Sequence, residues 1–165
     1  MSLLTSSIAP FAIFAALIAL HLLFIKKSRL LINIIALYAS VVAMMIVPRI
    51  PQVQAFLSGS KWAYIIAFAV LFIVVHFILS HSNLDTISAR ISPSSFAISI
   101  LYRIAIVGLL FAVIVRYLPT AHRDAFSPLA QMVFMSKMAL LVWLVLPLFL
   151  AFSYRFRTTE GGWLE

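Results

Sequence analysis

Five long apolar runs dominate this chain, and they constrain its fold more than any other feature. They cover approximately residues 8–25, 30–47, 62–79, 96–118 and 138–154. A membrane-spanning helix needs roughly 20 consecutive apolar residues, so each run is close to that length. Composition removes the soluble alternative. The chain is 65% hydrophobic and only 10% charged, against about 45–50% and about 25% in ordinary soluble domains. Its mean hydropathy is +1.17. Lipid offers no hydrogen-bond partner to an open strand edge, so the runs are expected as helices. They also lack the strict alternation of an outer-membrane strand. The expected fold is all-α: five transmembrane helices in one domain, residues 1–154, followed by a short tail at 155–165.

The first two runs are divided by Lys26-Lys27-Ser28-Arg29. One unbroken helix would place three charges at the bilayer centre, each costing roughly 2.5–3.5 kcal/mol. A tight turn between antiparallel helices is therefore expected. The rule that basic loops face the cytoplasm then places this turn inside, the N-terminus outside and the C-terminus inside. Lys26, Lys27, Arg29, Arg90, Arg155 and Arg157 fall on the inner side, against Arg49, Lys61, Arg116, Arg123 and Lys137 on the outer. The N-terminal run lacks a basic leader and a small-residue cleavage site, and is expected as a retained span.

The net charge of +8 is spread over the ends of apolar runs, where basic residues face anionic headgroups. That distribution argues against a nucleic-acid footprint. Lys26, Lys27, Arg29, Trp62, Arg116 and Lys137 are expected as interface anchors, with Trp62 and Tyr64 in an aromatic belt. Two connections are expected to hold short interfacial helices. In the second, Val53, Phe56 and Leu57 follow Pro51. In the fourth, Ser127 suits an N-cap, Pro128 the first helical position, and Phe126, Leu129, Val133 and Phe134 an apolar stripe. Pro147 is expected to kink the last span. A small-residue face on the first helix (Ala12, Ala15, Ala16, Ala19) is expected to meet Ala36, Ser40 and Ala43 on the second.

Ionisable groups at membrane depth are functional candidates. Topology places His21, Asn33, His76 and Arg103 in one inner-leaflet layer, with Asp85 as a possible ion-pair partner of Arg103. Each has a plain structural role as well: the histidines as belt residues, Asn33 as interhelical glue, Arg103 as a snorkelling anchor. The cofactor alternative is a haem b held between His21 and His76; otherwise no cofactor and no metal is expected. An ion or proton pathway through the same residues is the other alternative, although the chain lacks the internal repeats of transporters. The chain has four acids, Asp85, Asp124, Glu160 and Glu165, and none falls inside a run. It has four glycines and no cysteine, hence no phosphate loop, thiolate site or disulfide. An enzyme is not expected.

The stretch FIKKSRLLINIIALYASVVAMMIVPRI followed by AYIIAFAVLFIVVHFIL resembles the first spans of the colicin V production protein family. The resemblance covers roughly residues 8–118. It implies a small bacterial inner-membrane protein tied to colicin export and envelope upkeep, without a defined catalytic site. Ser28 stands where that family has glycine. The family's early acid is missing, and Gly108 alone remains of the glycines of its fourth span. No functional residue carries over. The ending FSPLAQMVFMSKMALLVWLVLPLF resembles uncharacterised small membrane proteins of bacteria with reduced genomes. The function expected is that of a scaffold or accessory subunit, with the bilayer and other membrane subunits or a second copy as partners.

Overall fold

The computed structural model describes residues 8–60, 62–84, 91–92, 96–153 and 157–158. Helices occupy all five expected runs: α1 Ala9–Phe24, α2 Leu30–Ile46, α4 Ala63–Ser80, α5 Phe96–Tyr117 and α8 Lys137–Ser153. Shorter helices in the connections include α3 Pro51–Ser58, α6 Thr120–Asp124 and α7 Pro128–Phe134. Single 3-10 turns at Lys27–Arg29 and Val47–Arg49 flank α2. Two two-residue strands, β1 Ile91–Ser92 and β2 Arg157–Thr158, pair antiparallel.

Three segments are individually long and apolar enough to cross a membrane: Lys27–Arg49, Ala63–Ser80 and Phe96–Tyr117. A fourth qualifies if α7 and the following Lys137–Leu150 form one span bent by 46°. The 16-residue α1 is apolar but shorter, about 24 Å at 1.5 Å per residue. Among the described residues the architecture is thus all-α, with three or four helices long and apolar enough to cross a membrane, and the expected fifth does not meet that measure.

α5 is the hub. Its buried residues lie all round the helix, from Ser99 and Tyr102 through Gly108 to Val115, as in a helix enclosed by others. α1, α2 and α8 pack on it, and α4 packs chiefly on α2. One core joins Leu37, Met44, Phe68, Ile106, Leu109 and Leu150. A second gathers rings from four helices around Phe134. Phe111 lies 4.7 Å away, Phe14 5.2 Å, Phe11 5.8 Å and Trp143 6.0 Å, all between ring centroids.

Gly108 permits a close approach. A Cβ at that position would lie 2.0 Å from Cζ3 and 2.1 Å from Cε3 of the Trp143 indole, so α5 and α8 meet through a glycine, as small residues allow in lipid. The indole Nε1 donates to the Val133 carbonyl at 2.9 Å. That carbonyl lies in the last turn of α7, where no following turn supplies an N–H. Ser136 restarts the chain as α8, its Oγ accepting from the Ala139 N–H at 3.0 Å.

α7 follows the expected Ser127 cap, whose Oγ accepts from the Ala130 N–H, and the expected Pro128 start. Its stripe is rotated, however. Phe126, Ala130 and Phe134 are buried, whereas Leu129 is 58% exposed, so α7 is stapled into the bundle. In α3 only Leu57 is buried. The bend near the last run lies between Phe134 and Lys137, while the helix continues through Pro147. Pro147 has no N–H to close onto Trp143, and the Tyr38 hydroxyl donates to the adjacent Leu144 carbonyl. The alanine face of α1 does not meet α2. Ala12, Ala15, Ala16 and Ala19 are all exposed, while Ala36 and Ser40 are buried.

The two ends of the bundle differ. At one, β1 joins the segment before α5 to the segment after α8 and lies beside the Lys27–Arg29 turn. At the other, Tyr64 stacks on Tyr117 at 5.9 Å and Trp62 lies 5.3 Å from the His122 ring. This aromatic cluster has the make-up of a membrane–water belt.

Candidate functional site

α1 ends at Phe24 without a capping glycine. Ile25 turns to extended backbone, and its N–H closes on the His21 carbonyl. The carbonyls of this last turn carry the negative end of the helix dipole. Across from them stands Arg103 of α5, only 3% exposed. It lies seven residues into its helix, roughly 10 Å from the start. Helical side chains lean toward their own N-terminus, which carries the guanidinium toward the end of the bundle where α1 stops.

The contacts follow from that lean. One terminal nitrogen of Arg103, Nη1, donates to the His21 carbonyl at 2.5 Å and lies 3.2 Å from His21 Nδ1. The other, Nη2, donates to the Ile25 carbonyl at 2.8 Å. The amide nitrogen of Asn33, one turn into α2, is 3.4 Å from His21 Nε2. Arginine cannot accept a hydrogen bond, so in its contact with Arg103 His21 Nδ1 is the acceptor. Nε2 faces the Asn33 amide, a group that carries both a donor and an acceptor. Three helices are thereby tied at one point, with the C-terminus of α1 as the counter-charge of Arg103.

Three of the four residues expected in one layer are thus brought together: His21, Asn33 and Arg103. His76 is not joined to them. It sits on α4, which packs on α2, and its Nε2 lies 3.3 Å from the Ser80 hydroxyl. Its Nδ1 is buried without a hydrogen-bond partner among the described residues. Asp85 lies outside the described residues. Of the anchors, Lys27 places its ammonium 5.7 Å from the centre of the Phe96 ring, a cation–π contact. Lys26, Arg29, Trp62, Arg116 and Lys137 are exposed.

Chemically this cluster is a clamp. Both terminal nitrogens of Arg103 are occupied, and both His21 ring nitrogens are engaged. Iron ligation by His21 would have to displace Arg103 or Asn33. No group of three or more His, Asp or Glu able to hold a metal occurs among the described residues. Sequence reasoning missed the helix end as the partner of Arg103. One signal pointed there: with no acid in any apolar run, a buried arginine has only carbonyls to satisfy it. No family model, curated protein or solved structure matches the chain.

Proposed function

We propose that this chain is a five-pass protein of the bacterial inner membrane, with its N-terminus outside and its C-terminus in the cytoplasm. It serves there as a scaffold or accessory subunit by binding other membrane helices. The observation that carries this reading is the alanine row of α1. Ala12, Ala15, Ala16 and Ala19 are exposed and find no helix among the described residues, although close backbone approach is what such residues permit in lipid. The clamp at His21 fixes the end of α1, so the row is presented on a helix already tied to the hub. The shortness of α1 supports the same reading. A helix about 24 Å long in a hydrocarbon core of about 30 Å favours association or local thinning. The resemblance to the colicin V production family directs the role toward export or envelope upkeep.

The test is association at near-native expression in mild detergent, read by blue-native electrophoresis and by cross-linking in the membrane. The wild type is expected to migrate as a homo-oligomer or with a membrane subunit. Ala15→Leu, on an exposed site, is expected to shift it toward monomer without changing its unfolding midpoint. A wild-type protein that remains monomeric and partnerless refutes the proposal.

A further inference from the structure

At the end of the bundle where α5 stops and α8 begins, two hollows meet. One is an apolar cleft of about 410 Å³ between α2, α5 and α8, walled by Val41, Met45, Val113, Leu141 and Leu144. The other, about 570 Å³, is bordered by Arg116, Arg123, Asp124, Gln131 and Lys137. Arg116, Tyr117 and Lys137 line both, so the apolar cleft runs directly into a basic rim. Both volumes lie within the range of about 300–1,000 Å³ typical of ligand sites.

The charges are unbalanced. Three cations face one carboxylate across the rim, and no ion pair joins them among the described residues. Arg123 is half-buried, and its Nε is shielded from solvent without a partner among the described residues. The cleft opens sideways past Met45 and Leu141, which are 63% and 56% exposed, onto surface that faces hydrocarbon when α2 and α8 span a bilayer. This juxtaposition has the form of an amphiphile: an apolar slot entered from the side, ending at clustered cations.

We propose that the cleft holds an anionic phospholipid, with an acyl chain between α2, α5 and α8 and its phosphate among Arg116, Arg123 and Lys137. Arginine and lysine clusters at a bilayer surface recognise anionic headgroups through phosphate contacts. A free phosphate ion would satisfy the rim and leave the apolar cleft without a function. A zwitterionic lipid would bring its own cation against three others. The reading is independent of the association role and of which leaflet this end faces.

The experiment is native mass spectrometry of the full chain released from micelles containing equal amounts of phosphatidylglycerol and phosphatidylcholine. One phosphatidylglycerol per chain is expected to be retained in preference. Each basic residue near a membrane surface adds about fivefold to anionic-lipid affinity, so R116Q/K137Q is expected to weaken retention by about 30-fold. The charge-matched control K26Q/R49Q, whose residues do not line the cleft, should leave it unchanged. R116K/K137R should restore most of it, which separates lost charge from misfolding. Leu141→Trp, filling the slot with all cations present, is expected to lower retention too. Equal retention of the two lipids overturns the proposal, as does wild-type retention by R116Q/K137Q or by Leu141→Trp. Displacement of the lipid by millimolar inorganic phosphate shows a free-anion site and overturns it as well.

Discussion

Replacing Arg103 with methionine keeps an unbranched apolar stem and removes the clamp. The guanidinium donates to the carbonyls of His21 and Ile25. Hydrogen bonds from charged donors are worth about 1.5–3 kcal/mol each, and a cation at a helix C-terminus adds up to about 2 kcal/mol. Against this, methionine avoids the desolvation cost of a buried charge. The net loss expected for Arg103→Met is about 2–4 kcal/mol. His21→Ala makes the discriminating comparison. It retains the two backbone carbonyls and loses only ring contacts, and neutral interhelical contacts in lipid average about 0.6 kcal/mol. Its cost is therefore expected to stay below about 1 kcal/mol. Arg103→Lys falls between, because one ammonium cannot span both carbonyls as the planar fork does. The assay is reversible unfolding in mixed micelles, followed by circular dichroism, with hydrogen exchange at Ile25 reporting on the α1 terminus. A silent Arg103→Met, or a His21→Ala as damaging as Arg103→Met, refutes the idea that the helix end is the partner of Arg103.

Gly108→Ala pushes a methyl into the Trp143 ring. Overpacking costs about 1–3 kcal/mol, and the displaced indole loses its bond to Val133, worth about 1 kcal/mol. Trp143→Leu in the same chain is expected to recover part of this, giving a coupling above about 1 kcal/mol in a double-mutant cycle read by thermal unfolding. Ser28→Cys, in the turn between α1 and α2, is expected to react with an impermeant maleimide only after the inner side of the membrane is opened. Labelling of intact cells overturns the proposed orientation.

The functional alternatives built on His21 and His76 rest on residue type and on depth counted along each run. The structure gives them different geometries. His21 lies within a three-helix tie, while His76 lies on a peripheral helix whose buried residues are limited to Ala63 and Phe68. Depth follows from counting residues along a run. The direction a side chain faces does not, because runs that are apolar on every side carry no stripe to show which face turns inward.

What the sequence determined by itself is therefore the set of long helices and their ends. All five appear within a residue or two of the expected limits, because run length against bilayer thickness and backbone satisfaction in lipid are properties of each segment alone. The Ser127 cap and the Pro128 start were legible for the same local reason. Tertiary structure alone decided which helices became neighbours. Lipid is as apolar as leucine, so burying one apolar face in preference to another gains little. The choice went instead to a few shape-specific or polar contacts: the Gly108 notch under Trp143, the rings around Phe134 and the reach of Arg103 to the end of α1. Those contacts set α1 against the hub and left its alanine row facing outward.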